Sequence, residues 1–418
     1  MSAPDAHALT WAVAALATLG VVTRPFGWPE AVWALAGAVA LVAGGLVAWP
    51  DALRAAAKGR DVYLFLAGMM LLAEMARQHG LFDHLAARAV ALARGSPRRL
   101  FALVFAVGTG VTVLLSNDAT AVVLTPAVLA VTRAARVRRP LPYLLACAFI
   151  ANAASFVLPI SNPANLVVFG AAMPPLGDWL ARFTLPSLAA IGATWAALRW
   201  QQRGTLDEPV AGAVEVPHLS ACGRLVAWAI GAAALALLAA SASGADLGLV
   251  ACTAALLALG ALALQRRAVP WAVFGHVAWS VLPLVAGLFV LVEAVQRTGA
   301  LQALSALLLD AARHSTPLAA LAAGVLLAFG CNAVNNLPAG LFAGAVAAGA
   351  QLPVPIVDAL LIGVDLGPNL SVTGSLATIL WLVALRREGV QVGFGEFLRV
   401  GIVVMPAALL PALALAVL

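Results

Sequence analysis

Polar residues interrupt the apolar chain at two similar places. Ser116, Asn117 and Asp118 lie inside one long apolar run, and Asn335 and Asn336 lie inside another. Amide, hydroxyl and carboxyl groups inside apolar surroundings need partners, so these residues are candidates for binding a solute or a proton. Asn117 and Asn336 are 219 positions apart (336 − 117). This spacing is the first indication of an internal duplication.

Two glutamates repeat the same spacing. Glu74 and Glu293 are also 219 positions apart (293 − 74), and each is followed six residues later by a glycine. Two pairs at one offset indicate two related halves. Two repeats that each carry a polar break in a membrane segment are typical of a secondary transporter. Each glutamate would either take part in proton coupling or pair with a nearby arginine, Arg77 or Arg297, at a helix end.

Two further polar stretches interrupt apolar segments. Prolines surround Asn162 and Asn165 in the first half, and glycine and proline precede Thr373 and Ser375 in the second half. Proline and glycine unwind a helix, and open backbone at membrane depth survives only where protein or a water-filled cavity satisfies it. Two hairpin tips and two unwound helices in corresponding places would converge near the midplane as one polar site.

The carboxyl groups inside the predicted membrane are Glu74, Asp118, Glu293 and Asp365. Burying a carboxylate is costly, so such residues are functional candidates. Asp118 would either carry a coupling proton or cap the helix after the hairpin tip. Asp365 is far in sequence from any basic residue, which favours a functional role. Because the predicted site contains no arginine or lysine, a neutral hydroxyl-rich solute or a small anion with a cation would fit, and a bulky polyanion would not.

Composition places the chain in a membrane. Of its 418 residues, 63% are hydrophobic and only 10% are charged, and the mean hydropathy is +1.00. Soluble domains are roughly a quarter charged. The net charge of +6 fits basic membrane loops better than nucleic-acid binding. The four cysteines form no CxxC pair, which argues against a metal site, and no GxxxxGK[ST] motif for ATP hydrolysis is present.

The apolar segments predict an all-α polytopic protein with about ten transmembrane helices and two re-entrant hairpins. The predicted first-half spans are about 8–23, 30–49, 61–76, 141–173 and 178–199, with a hairpin at 98–132. The second-half spans are about 224–242, 246–264, 277–295, 354–384 and 396–417, with a hairpin at 317–350. Five crossings per half make the halves inverted repeats, and the predicted units are 1–205, a cytoplasmic linker 206–223, and 224–418.

Basic residues orient this topology. With these spans, 18 of the 24 arginines and lysines fall on one face, which the positive-inside rule assigns to the cytoplasm. The sequence therefore predicts a multi-pass membrane protein with both termini outside. Segments 77–97 and 296–316 are amphipathic and are expected along the membrane surface. The small residues of 30–49 would suit either a homodimer face or packing inside the protomer.

The interrupted segments resemble those of one known family. Residues 115–126 resemble the ND…LTP hairpin of the arsenite efflux permeases, the arsenical pump membrane proteins of the ion transporter superfamily. Residues 335–338 are similar to the NNxP tip of that family, residues 161–165 to its SNxxN break, and residues 363–381 to its DLGP…GSLATLLW segment. Asn369 stands where the family usually has a lysine, which removes a cation from the site.

The resemblance implies export of arsenite and antimonite across a bacterial plasma (inner) membrane, driven by the proton motive force without a bound cofactor, and in some members with a soluble ATPase partner. Arsenous acid is uncharged at neutral pH and presents three hydroxyl groups, so neutral side chains would bind it without a fixed countercharge. The candidate substrate-binding residues are Ser116, Asn117, Asn162, Asn165, Asn335, Asn336, Thr373 and Ser375. The candidate proton-coupling residues are Asp118, Asp365, Glu74 and Glu293.

Two other functions would use the same residues. A sodium-coupled anion or dicarboxylate carrier, or a sodium/proton antiporter, of the same superfamily would use the Ser, Asn and Thr groups for sodium. An intramembrane aspartyl protease would use Asp118 and Asp365 as its dyad. However, Gly363-Val364-Asp365 lacks the second glycine of a GxGD pattern, and a protease does not explain two hairpins. The sequence therefore predicts a transporter and not an enzyme.

Overall fold

The computed structural model describes residues 3–206, 210 and 214–418, and within these ranges the regular structure is helical. Asp207 and Glu208 of the predicted linker lie outside the described residues. The helices of the first half are α1 (Ala3–Thr23), α2 (Glu30–Ala43), α3 (Trp49–Lys58), α4 (Arg60–Gln78), α5 (Leu81–Ala93), α6 (Pro97–Leu114), α7 (Thr125–Ala134), α8 (Leu141–Ala153), α9 (Pro163–Phe169) and α10 (Leu176–Gln201).

The second half follows the same order. Its helices are α11 (Ala221–Ser243), α12 (Leu247–Arg266), α13 (Ala272–His276), α14 (Val281–Gln296), α15 (Ala300–Val334), α16 (Asn336–Ala350), α17 (Val354–Leu366), α18 (Leu376–Arg387) and α19 (Phe394–Ala416). Helix α15 bends at Ser315 (φ −162°, ψ 104°), just before Pro317, so it corresponds to α5 and α6 taken together. The order of elements supports the duplication that the 219-residue spacing predicted.

The two halves interlock through their scaffold helices. Helix α2 packs along α14 of the other half, and α12 packs along α4. A Cβ atom on Gly287 would lie 2.7 Å from the backbone of Ala34, and one on Gly68 would lie 2.5 Å from the backbone of Ala251. Gly68 and Gly287 are themselves 219 positions apart (287 − 68). Small residues let helix backbones approach closely, so both halves use the same close crossing, exchanged between them.

The predicted hairpins and discontinuous helices are confirmed. Helix α6 returns through a π-helical segment, Ala119–Leu124, into α7, while the second part of α15 returns into α16. Unwound backbone separates α8 from α9 and α17 from α18, and α10 lies against α19. Among the described helices, six are by themselves long and apolar enough to cross a membrane. Some of the shorter apolar helices begin or end at a tip or a break, as Leu141–Ala153 and Asn336–Ala350 do.

Two details of the predicted spans were wrong. The span predicted at 30–49 ends earlier, at Ala43, and Trp49–Lys58 forms a separate amphipathic helix. Pro50, which is favourable only in the first turn of a helix, starts this new element. The short helix α13 was also not predicted. Both helices lack a long apolar run, so hydropathy alone gives them no signal.

Candidate functional site

The first hairpin tip leaves one carboxyl group available. Ser116 Oγ accepts a hydrogen bond from the Ala119 N–H at 3.2 Å, so Ser116 rather than Asp118 caps the returning segment. The two arms are joined by a 2.8 Å hydrogen bond between the hydroxyl groups of Thr112 and Thr120. In the described part of the chain, no hydrogen bond or ion pair engages the Asp118 carboxylate. That carboxylate is therefore free to meet a solute or a proton.

The second hairpin tip is joined to the second break. Asn335 has φ +75°, in the left-handed region, and its side-chain oxygen accepts from the Leu337 N–H at 3.4 Å. The Asn335 amide nitrogen donates to the Thr373 carbonyl oxygen at 3.4 Å, and the Asn336 N–H donates to the Gly374 carbonyl oxygen at 2.8 Å. These contacts hold the tip against the unwound stretch between α17 and α18.

The first break is organised by two asparagines with different roles. Asn162 Oδ1 accepts from the Ala164 N–H at 3.0 Å and so caps α9, while Asn162 Nδ2 donates to Asp365 Oδ1 at 2.7 Å. Asn165 is fully buried, and its Nδ2 donates to three carbonyl oxygens within the break, those of Ser155, Leu158 and Pro159. Asn162 therefore links the two breaks, whereas Asn165 holds the first one in shape.

The second break is also held by side-chain hydrogen bonds. Ser375 Oγ accepts from the Thr378 N–H at 3.0 Å and caps α18, and Thr373 Oγ1 donates to the Asn332 carbonyl oxygen at 2.8 Å. Asn369, at the position where a lysine was expected, accepts from Asn152 Nδ2 at 3.0 Å. It also donates to a backbone carbonyl of α8 at 3.2 Å. The Asn369 amide is thus committed to the packing of α8 against the break.

Asp365 lies at the junction of the two breaks. Its side chain is 1% exposed, Asn162 Nδ2 donates a hydrogen bond to its Oδ1 at 2.7 Å, and the Ser155 hydroxyl lies close enough to interact with the same carboxyl group. The second carboxyl oxygen, Oδ2, is buried without a hydrogen-bond partner. An uncompensated charge in such surroundings is costly, so this geometry suits a carboxyl group that holds a proton for part of a cycle.

A small internal pocket lies where the tips and breaks meet. Asn117 and Asp118 line it from the first tip, Asn336 from the second tip, and Asn162 from the first break. Its volume is about 10 Å³, which admits roughly one water molecule. The structure therefore brings four of the predicted site residues together. Asp365 reaches this pocket only through Asn162.

A larger cavity, of about 580 Å³, leads from one face of the protein to the same region. At its inner end it is lined by Ser116, Asp118 and Pro163. At its outer end it is lined by His276 and by charged residues of both signs, namely Arg77, Asp83, Arg387 and Glu388. These residues belong to the face that carries most of the arginines. The cavity gives a solute access from that face as far as Asp118.

The two glutamates occupy equivalent places outside the inner pocket. Glu74 accepts hydrogen bonds from Arg77 at 2.7 and 2.6 Å and lines the outer part of the cavity. Glu293 accepts from Lys58 at 2.7 Å and from Arg297 at 3.2 Å. Each glutamate thus pairs with an arginine of its own helix end. Neither lines the pocket at the tips, and Thr373 and Ser375 do not line it either.

Some site residues were missed by the sequence reasoning. Asp358 on α17 is buried and lies 3.6 Å from Arg182 on α10. It falls inside the predicted span 354–384, so the rule that selected Asp365 applied to it as well. Asn152 and Asn332 also hold the second break, through Asn369 and Ser371. Asparagine inside an apolar helix was the available signal for both. Within the described ranges, no group of three metal-ligating side chains occurs.

Comparison with known proteins gave consistent matches over most of the chain. A family model described as citrate transporter, CitMHS, matches residues 15–364. The arsenical pump membrane protein of Yersinia enterocolitica is 28% identical over 343 residues, covering 78% of this chain and 79% of that protein. An uncharacterized transporter of Mycobacterium tuberculosis is 28% identical over 365 residues, covering 82% of each chain. The crystal structure of the Alcanivorax borkumensis YdaH transporter, described as having an unusual topology, aligns with a TM-score of 0.55 at 18% identity over 85% of this chain and 84% of that one.

Proposed function

Since the chain belongs to the CitMHS citrate transporter family, within the ion transporter superfamily, we propose that it is a secondary transporter that exports arsenite and antimonite from the cytoplasm in exchange for protons. Relatives named arsenical pump membrane protein support this substrate class. One structural observation carries the proposal. The pocket at the two tips is lined by three asparagines and one aspartate, with no arginine or lysine among its described lining residues.

Neutral groups of this kind suit arsenous acid. Its three hydroxyl groups both donate and accept hydrogen bonds, and so do the amide groups of Asn117, Asn162 and Asn336. No ionic partner is needed, because the solute carries no charge at neutral pH. In the conformation described here the pocket holds only about one water molecule, so a solute would enter as the tips and breaks move apart.

Asp118 and Asp365 would couple this movement to protons. Asp118 meets the cavity, and Asp365 is connected to the same pocket through Asn162. A carboxyl group that is protonated is neutral, and it crosses an apolar barrier far more easily than a carboxylate. Substrate and proton would then occupy one site alternately, each displacing the other.

Orientation and partners are part of the same proposal. The arginine-rich face, where the larger cavity opens, would be cytoplasmic, and both termini would lie outside. The membrane would be a bacterial inner membrane, as the resemblance implies. A soluble arsenite-stimulated ATPase and a homodimeric assembly are further elements that the resemblance implies. Neither the ATPase partner nor the homodimer requires a catalytic residue in this chain.

A second candidate is an anion carrier that moves citrate or another carboxylate with a cation. The description of the matched family favours it, and Arg387 at the outer end of the cavity would attract an anion. Arg77, the other cavity arginine, is already paired with Glu74. At the inner pocket, however, a tricarboxylate would meet Asp118 and neutral amides, so it would need accompanying cations such as sodium.

Arsenite accumulation in everted membrane vesicles would test the proposal. A gradient with an acidic interior should drive uptake, and Asp118→Asn and Asp365→Asn should each lower gradient-driven uptake at least ten-fold. Asp310→Asn, an exposed aspartate on α15, serves as the matched control and should leave uptake unchanged. Sodium-driven citrate uptake without any arsenite uptake would replace the proposal by the second candidate.

A further inference from the structure

A basic groove lies at the C-terminal end of α10, remote from the central site. It has a volume of about 450 Å³. Trp195, Arg199 and Trp200 of α10 line it together with Arg203, which lies in the turn just after α10, and Arg98 of α6 contributes to its wall. No aspartate or glutamate is among its described lining residues. The groove therefore combines positive charge with aromatic surface.

Arg199 and Arg203 each lie over a tryptophan ring. The Arg199 guanidinium carbon lies 4.9 Å from the centroid of the Trp195 ring, and that of Arg203 lies 5.8 Å from the Trp200 ring. Among the described residues, neither guanidinium forms a hydrogen bond or an ion pair. A guanidinium that lies over an aromatic ring keeps its in-plane N–H groups available for an anion. Phosphate oxygens match this fork of donors.

The same helix continues the groove with apolar surface. Going from the groove toward the middle of α10, the side of the helix passes from Arg199 to Ala196, Gly192 and Leu188, at spacings of three or four residues. These residues are exposed or half-exposed, and Leu188 is 62% exposed. In a membrane-spanning helix this surface faces lipid chains. Tryptophan at such a boundary is typical of the membrane interface.

From these features we propose that the groove binds the phosphate head group of an anionic phospholipid. Arg199 and Arg203 would donate to the phosphate oxygens, and the acyl chains would lie along the apolar side of α10. A zwitterionic lipid carries a compensating cation and would bind less tightly. The groove lies at the arginine-rich face, so the lipid would come from the leaflet on that side. This inference does not depend on the transported solute.

Native mass spectrometry of the full-length protein in non-ionic detergent would test the site. Phosphatidylglycerol should bind with an apparent affinity roughly ten-fold above that of phosphatidylcholine, because two guanidinium groups engage its charge. The double variant Arg199→Gln/Arg203→Gln should lose this preference. Arg266→Gln/Arg267→Gln, which removes the same charge from exposed residues at the end of α12, should retain it.

Three outcomes would overturn the proposal. They are equal binding of the two lipids, loss of the preference in both double variants, and displacement of the lipid by an equal concentration of glycerol 3-phosphate. The last outcome would identify a site for a free phosphate ester instead. Trp200→Leu provides a second variant that keeps every charge. It should weaken the preference, because Arg203 loses the ring that holds it.

Discussion

The link between the two broken helices makes a quantitative prediction. Asn162 makes two side-chain hydrogen bonds, accepting one from the Ala164 N–H at 3.0 Å and donating one to Asp365 at 2.7 Å. Asn162→Ala removes both. Asn162→Ser keeps a good N-cap for α9, but the serine side chain is too short to reach Asp365. The two substitutions therefore separate the cap from the link.

The size of each effect follows from these contacts. A hydrogen bond to a carboxylate contributes about 1.5–3 kcal/mol, and one to a neutral group contributes about 0.5–1.5 kcal/mol. Loss of Asn162 removes the 2.7 Å hydrogen bond from a buried carboxyl group whose other oxygen, Oδ2, has no hydrogen-bond partner. We expect Asn162→Ser to lower the free energy of unfolding by about 1–3 kcal/mol. Asn162→Ala should lower it by about 1 kcal/mol more.

Equilibrium unfolding in mixed detergent micelles, followed by tryptophan fluorescence, would measure these changes. A double-mutant cycle of Asn162→Ser with Asp365→Ala isolates the link from the cap. The coupling free energy should be about 1–3 kcal/mol, and its size reports whether the carboxyl group is charged in the folded protein. If the losses of unfolding free energy in the two single variants sum to the loss in the double variant to within about 0.5 kcal/mol, the hydrogen bond contributes nothing. In that case the reasoning about the junction is refuted.

Three further predictions concern packing and charge. Gly363→Ala should lower the yield of folded protein, as assayed by size-exclusion chromatography, because its Cβ would overlap the Gly324 carbonyl oxygen of α15. Gly330→Ala, where the added Cβ meets open space, should not lower it. Asn369→Lys should lower the thermal unfolding temperature by several degrees, because the two hydrogen bonds of the fully buried amide are lost and a cation takes its place. An unchanged unfolding temperature would contradict this prediction. Arg297 holds the pKa of Asp51 below its usual 3.8 through a 2.6 Å hydrogen bond, so this contact stabilises the protein above that pH and is lost as the pH falls further. An acid titration of tryptophan fluorescence should detect a larger loss in the wild type than in Arg297→Gln, where Arg54 still lies beside Asp51.

The hairpins and breaks could be predicted because their signals are local. Asn335 and Asn336 at one tip and Pro163 at one break disrupt an apolar helix wherever they stand in a fold. The residues that each break contacts could not be predicted. Asn162 and Asp365 are 203 positions apart, and Asn162 has the same local sequence signal whether it caps a helix, links two breaks or binds a solute.

The packing of each scaffold helix against a helix of the other half could not be predicted either. A helix that faces lipid and a helix that faces another apolar helix have the same hydropathy, so periodicity does not reveal partners. Gly68 and Gly287 carried the one available signal, since both follow the 219-residue offset and both lie at close crossings. Asp51 and its neighbours in α3 were missed for a different reason. An amphipathic helix of ten residues between two spans leaves no long apolar run to detect.

The exchange of scaffold helices has a consequence for biosynthesis. During translation α2 and α4 reach the membrane before their partners α14 and α12 have been synthesised. The close surfaces around Ala34 and Gly68 must therefore remain covered by lipid, or by the insertion machinery, until more than half of the chain has been made. The two halves do not assemble in sequence like separate domains, and final packing waits for the second half.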